Sequence, residues 1–361
     1  MEGQRVSSGG GGEGGGGGAR RQEPRANGGG GDRGIAGGAP RRREVRVLED
    51  AVELTRAAAA EVAGALALHR DAWLPGAAAG AMSGTTSSAT SRTMSIAASA
   101  VSAAPFPSIA LAGGSTPRAL YRLLADPAAP FRARIDWQAV HFFWGDERHV
   151  PPDHPDSNFR MAREAMLDHV QVPAAHVHRI AGEEPDAARA ARLYERELIG
   201  VFGLRRAAAG GGEGAAGSED AAGSVTASGG ADARGDATRE WPRFDLVLLG
   251  MGEEGHTASL FPGSPLLADD ALARPSAQAL AAAVWVEKLH TWRITLTPPA
   301  LDHAATVIFL VSGAAKAPAL AAVLEGEWRP ELYPAQVVAP VDGRLLWLVD
   351  RAAAAQLRSS S

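Results

Sequence analysis

Cysteine is absent from the 361-residue chain, which excludes a disulfide framework, a thiolate nucleophile and any cysteine-ligated zinc or iron–sulfur centre. An excess of positive charge is missing too. Lys and Arg number 36 against 41 Asp and Glu, a formal net charge of −5, so no overall basic field invites nucleic acid or an anionic membrane. No uncharged apolar run nears the roughly 18 residues of a membrane-crossing helix, and the amino-terminal stretch lacks the apolar core of a secretory signal. Lysine is almost missing: Lys288 and Lys316 are the only two, and every other strong cation is arginine. Against so strong a bias, a retained lysine marks a place where a compact ammonium is needed. The expectation is a cytoplasmic protein without nucleic-acid or membrane partners, whose chemistry uses His, Asp, Glu, Ser, Lys or Arg.

Glycine, by contrast, is abundant at 43 residues. Residues 1–43 are glycine and arginine with few large apolar side chains, too few to offset the entropy of ordering, and read as a disordered tail. The run Arg41, Arg42, Arg43 suggests a targeting or RNA-binding feature, but Glu2, Glu13, Glu23 and Asp32 speak against a transit peptide. Two more low-complexity stretches, 76–104 and 205–240, read as flexible surface insertions. About 253 residues remain, a size that suits one domain over 44–357.

This remainder alternates short apolar runs with helical patterns. Strands are expected at Val45–Leu48, Ser108–Leu111, Val140–Trp144, Phe244–Leu249, Val284–Val286, Arg293–Leu296, Val307–Val311 and Leu345–Val349. Helices are expected over 51–72, 117–125, 158–169, 186–202, 314–325 and 350–357. Near-continuous apolar strands suit a sheet covered on both faces, so the fold class is α/β with a mostly parallel, doubly wound sheet. In such folds ligands collect at the carboxyl ends of the strands.

Four loops at those ends carry candidate chemistry. Gly113-Gly114-Ser115-Thr116-Pro117 joins a strand to a helix, with a hydroxyl to cap it and free amides suited to an anion. Trp144-Gly145-Asp146-Glu147-Arg148-His149 offers a positioning carboxylate at Asp146 and an anion-pairing guanidinium at Arg148. A metal site from His149, Asp153, His154 and Asp156 is the weaker alternative, since the two histidines do not share a helix turn. Gly250-Met251-Gly252-Glu253-Glu254-Gly255-His256 fits the GxGxxG dinucleotide pattern literally. However, two glutamates would face a pyrophosphate, and Pro262 and Pro265 deny it the long helix it needs. The same turn presents Glu254 and His256 together, a carboxylate able to fix an imidazole as a general base. Lys316 begins a helix just after an apolar strand, a second anion-site geometry. His176 and His178 show no local partners and read as surface or packing residues.

Taken in order, Ala112-Gly-Gly-Ser-Thr-Pro117, Gly145-Asp-Glu-Arg-His-Val-Pro151 with Ser157-Asn-Phe-Arg160, Phe244 to Pro262, Arg293-Ile-Thr-Leu-Thr297 and Gly313-Ala-Ala-Lys316 resemble the motifs of the 6-phosphogluconolactonase family. The resemblance spans 44–357 apart from the two insertions. It implies a Rossmann-like three-layer fold shared with glucosamine-6-phosphate deaminase, and metal-free, cofactor-free hydrolysis of 6-phosphogluconolactone. It also implies a histidine base at His256 with an acid at Glu254, and substrate contacts at Gly113, Gly114, Ser115, Thr116, Asp146, Arg148, Arg293 and Lys316. The family commonly has Pro-Asp where Glu253 and Glu254 stand, a frequent Tyr at Phe159, and a proline-rich approach to Arg293 where this chain reads Lys288-Leu-His-Thr-Trp292. The expected partner is a small sugar-phosphate lactone, the expected assembly a monomer or weak homo-oligomer. The rival readings are an amino-sugar-phosphate deaminase and a non-catalytic sugar-phosphate sensor.

Overall fold

A computed structural model describes residues 43–72, 106–205, 240–274 and 279–358. The expected tail, except Arg43, and nearly all of the two expected insertions lie outside the described residues; Arg43 itself opens a strand, because it pairs with Leu345. Six strands form one parallel sheet: β1 (Arg43–Leu48), β2 (Ser108–Leu111), β3 (His141–Trp144), β5 (Leu246–Gly250), β8 (Thr306–Val311) and β9 (Arg344–Asp350). Their order is β1-β9-β8-β5-β2-β3. The winding reverses between β2 and β5, which places the loops after these two strands at the switch point of the sheet. Three shorter strands, β4 (Asp146–Arg148), β6 (Ala281–Val286) and β7 (Thr291–Leu296), make an antiparallel sheet in the order β4-β7-β6.

Helices α1 (Ala51–Ala72), α2 (Ser115–Ala125), α3 (Asn158–Ala165), α4 (Ala187–Phe202), α5 (Asp269–Ala273), α6 (Pro298–Asp302) and α7 (Ala317–Glu325) flank the sheets. In sequence, α1 packs on α2 and α2 on α3, while α4 covers β6 and β7. The central strands β2, β5 and β8 are apolar and buried along nearly their whole length, as a doubly covered sheet requires. Edge strand β1 alternates instead. Its Glu44 and Arg46 join Glu61 of α1 and Arg344 of β9 in a four-membered ion-pair network that fastens the edge.

Two tyrosines finish the strands where the ladder stops. Tyr121 of α2 donates to the carbonyl of Ala112 (2.8 Å) and accepts from its N–H (2.9 Å), and Tyr194 of α4 does the same at Trp144 (2.9 and 3.0 Å). Both hydroxyls are fully buried, so leaving those backbone groups unpaired would be costly. The ends of β2 and β3 are thereby fixed just before the loops begin.

Several local expectations need correction. The polar triplet Asp146–Arg148, read as loop, pairs with β7 as a strand, because Arg293, Ile294 and Thr295 supply its ladder. Helix α2 starts at Ser115, and Gly114 rather than a hydroxyl occupies the cap position, at φ 107. Helix 158–169 ends at Ala165, and a separate 3-10 turn covers Leu167–His169. Helix 314–325 begins as a 3-10 turn, Ala314–Lys316, before α7. Residues 351–357 form turns, not a helix.

Candidate functional site

Four loops converge at the carboxyl ends of β2, β3, β5 and β8. The β5 loop folds tightly on itself: the N–H of Gly252 donates to the carbonyl of His256 (2.8 Å), that of Gly255 to Gly252 (3.1 Å), and the Thr257 hydroxyl to Gly250 (2.8 Å). Gly252 is obligatory for a steric reason. A Cβ there would lie 2.0 Å from Nδ1 of His256, so the imidazole rests against bare backbone. Its ring stacks on Phe261, centroids 4.2 Å apart. Gly255, at φ 80, completes the turn, and its carbonyl accepts from the N–H of Ala335 (2.9 Å).

Glu254 returns toward the ring it follows in sequence. Its Oε2 stands 3.3 Å from Nδ1 of His256, within ion-pairing reach although off the line of a good hydrogen bond. Its Oε1 accepts from Nζ of Lys288 at 3.1 Å. Burial lowers the His256 pKa below the usual imidazole value, and the Lys316 charge adds to this, outweighing the opposite pull of Glu254 and Asp146. The imidazole is therefore neutral near pH 7 and able to accept a proton. Burial works to raise the Glu254 pKa, but its backbone N–H, Lys288 and His256 together hold it below the ordinary glutamate value.

Asp146 opens β4 and is almost buried. It accepts from the Ser259 hydroxyl (2.7 Å) on Oδ2 and from the Asn158 amide (3.2 Å) on Oδ1. Asn158 also donates to the Asp146 carbonyl (2.9 Å), and its amide fills the space above Gly113, where a Cβ would fall 1.9 Å from Oδ1. Glu147 faces the other way. Buried, it accepts from the backbone N–H groups of Arg148, Asn158 and Phe159 and from the Ser157 hydroxyl, seating the start of α3. Much of the ionisable crowding in this loop is thus structural.

A cavity of about 350 Å³ collects Asp146, Arg148, Glu254, His256, Arg293 and Lys316, with Glu253, Phe261 and Lys288 among its other walls. Its size lies at the small end of ligand pockets. Arg148 and Arg293 are register partners across β4 and β7. Among the described residues neither pairs with a carboxylate, and the Nε atoms of both are buried without a hydrogen-bond partner. Burial, then the neighbouring Arg148, lowers the Arg293 pKa. Two guanidiniums held this way, with Lys316 beside them, make a place for an anion. Lys316 is brought there by Asp350 at the end of β9, whose carboxylate accepts from the Ser312 hydroxyl (2.5 Å) and the Gly313 N–H (3.0 Å).

Six expected residues, Asp146, Arg148, Glu254, His256, Arg293 and Lys316, therefore share one cavity. Ser115 and Thr116 line a different hollow with Thr55, Arg56 and Ser312, while Gly113 and Gly114 shape the turn that leads there. The residues that sequence reading missed are Asn158, Ser259 and Asp350 as fasteners, Gly252 and Phe261 around the imidazole, and Lys288 behind Glu254. A signal existed only for Lys288, as one of two lysines. The histidines of the metal alternative are engaged elsewhere: Nε2 of His149 bonds the Glu184 carbonyl (2.6 Å), and Nδ1 of His154 accepts from the Asp156 N–H (3.1 Å). His176 and His178 do have partners. Both rings stack on His141, and His178 bridges His141 (2.9 Å) to Glu197 (2.7 Å).

Comparison with known proteins identifies the family. Residues 82–347 match the family model of glucosamine-6-phosphate isomerases/6-phosphogluconolactonase. A 6-phosphogluconolactonase of Synechocystis is 39% identical over 251 residues, 69% of this chain and 84% of the relative. One from Nostoc is 38% identical over 250 residues, again 69% and 84%. The solved 6-phosphogluconolactonase of Trypanosoma brucei superposes with a TM-score of 0.59 at 25% identity, covering 88% of this chain and all of that one. The chain belongs to the glucosamine-6-phosphate isomerase/6-phosphogluconolactonase family.

Proposed function

We propose that this chain hydrolyses 6-phospho-D-glucono-1,5-lactone to 6-phospho-D-gluconate, a step of the oxidative pentose phosphate pathway. The observation that carries the reading is the content of one cavity: a largely buried imidazole backed by a carboxylate, sharing its walls with three cations that, among the described residues, pair with no carboxylate. The similarity to curated lactonases supports the same choice of substrate.

In this reading Arg148, Arg293 and Lys316 hold the phosphate. That remote grip fixes the lactone carbonyl near His256 and converts binding energy into orientation. Nδ1 faces Glu254, which leaves Nε2 as the base. Water adds its oxygen to C1 while Nε2 takes its proton; the carbonyl electrons move to oxygen, and the tetrahedral centre then collapses with cleavage of the bond from C1 to the ring oxygen. The imidazolium returns its proton to that oxygen, so the histidine ends as it began. Glu254 stabilises the transient imidazolium, and Asp146, held by Ser259 and Asn158, offers a carboxylate for a sugar hydroxyl. The enzyme acts as a monomer or weak homo-oligomer in the cytoplasm.

The test is a coupled assay of 6-phosphogluconate formation, corrected for spontaneous lactone opening. His256→Ala is expected to lose about 10²- to 10⁴-fold in kcat. Lys316→Ala is expected mainly to raise KM. Full turnover by the first variant removes His256 as the base, and an unchanged KM in the second removes Lys316 from the phosphate grip.

A further inference from the structure

The mechanism leaves one of the two lysines without a task. Arginine supplies every other strong cation of the chain, yet both lysines line the same cavity. Lys316 there has no carboxylate partner among the described residues, whereas Nζ of Lys288 lies 3.1 Å from Oε1 of Glu254. Lys288 stands at the turn between β6 and β7, in the 3-10 segment Glu287–Leu289, and is largely exposed at 73% of its side-chain surface. An ion pair so exposed adds little to fold stability. Its geometry is the more telling feature: the two oxygens of Glu254 are divided, Oε1 to the lysine and Oε2 to the imidazole.

We propose that Lys288 is a positioning residue, which holds one oxygen of Glu254 so that the other stays on Nδ1 of His256. The inference rests on the lactonase reading above for what His256 does, but not for the arrangement itself. Glu254 is one methylene longer than aspartate and has an extra torsion to restrain, so a second contact keeps its Oε2 within ion-pairing reach of Nδ1. The ammonium also offsets the carboxylate charge, so that Glu254 can orient the imidazole without making it too basic to stay neutral. The other charged groups around the ring are fixed from separate elements: Glu253 on its own loop, Asp146 and Arg148 on β4, Arg293 on β7 and Lys316 after β8. Of the lining cations, Lys288 is the one paired with the acid behind the base.

The experiment compares wild type, Lys288→Met and Lys288→Arg by kcat and KM across pH, and by NMR titration of the His256 imidazole in the full chain. Lys288→Met is expected to lose about two- to fivefold in kcat on the acid side, the scale of one exposed ion pair, with KM unchanged and the imidazole titrating at higher pH. Lys288→Arg restores both. In a Glu254→Gln background, Lys288→Met has no further effect, because the two residues act as one unit. An imidazole titration identical in wild type and Lys288→Met overturns the proposal. A raised KM with kcat intact also overturns it, since Lys288 would then be gripping substrate. Should the wild type fail to hydrolyse the lactone, the NMR titration still decides the role of Lys288 by itself.

Discussion

A single hydrogen atom on Gly252 decides whether the imidazole can sit where it does. With a Cβ 2.0 Å from Nδ1, the ring would have to leave its place on Phe261. Gly252→Ala is therefore expected to reduce kcat by at least about tenfold and, because Gly252 is buried and the added methyl must displace the ring, to lower stability by about 1–3 kcal/mol. Paired measurements of kcat and urea midpoint check this. The sequence already spoke at this scale for charged groups: Glu254 and His256 are two residues apart on one loop, and Arg148 and Lys316 each follow an apolar strand. It was silent about Gly252 and Phe261, because a glycine kept for a neighbour's ring looks like any turn glycine until the ring is placed. The Ser115 and Thr116 hydroxyls illustrate the converse. Their motif was plain, yet they line another hollow.

At the level of elements, the long strands of the parallel sheet were legible because their apolar runs are continuous, and β2, β8 and β9 fall within a residue of their expected bounds. Strand β4 was not. Its three residues are all charged, and only pairing with β7 makes them a strand. The start of α3 has a similar tertiary cause. Glu147 accepts three backbone N–H groups and one hydroxyl from within the protein, so Glu147→Ala strands several buried donors at once. A loss of about 3 kcal/mol in unfolding free energy is expected, since each orphaned group costs about 1–3 kcal/mol and local water recovers part of it. Chemical denaturation reads the loss directly; a value under about 1 kcal/mol would show that α3 seats itself by other means.

For the whole molecule a separate acid sensitivity is expected, distant in sequence from the loop of His256. Burial, then His176 and His178, pushes the His141 pKa down to about 3, against about 6.5 in an unfolded chain. Between these values the unfolded chain binds a proton that the folded chain refuses, so stability falls as pH drops from about 6.5 toward 3. His141→Phe keeps the stack on Phe106 and removes the titrating group. The variant should lose less in Tm than wild type between pH 7 and pH 4, and parallel curves would assign the acid sensitivity elsewhere, with the carboxylates of the β1 network next in line.

The joint between the two sheets is a single residue. Gly145 donates its N–H to Leu111 of the parallel sheet and accepts from Leu296 of the antiparallel one. Glu254 and His256 follow a strand of the parallel sheet on one side of that joint, and Arg148 and Arg293 stand on the antiparallel strands on the other. The two sides are stitched together where Ser259 of the β5 loop donates to Asp146 of β4 and where Lys288, in the β6–β7 turn, reaches Glu254, so a shift of the small sheet would be felt at the imidazole as well.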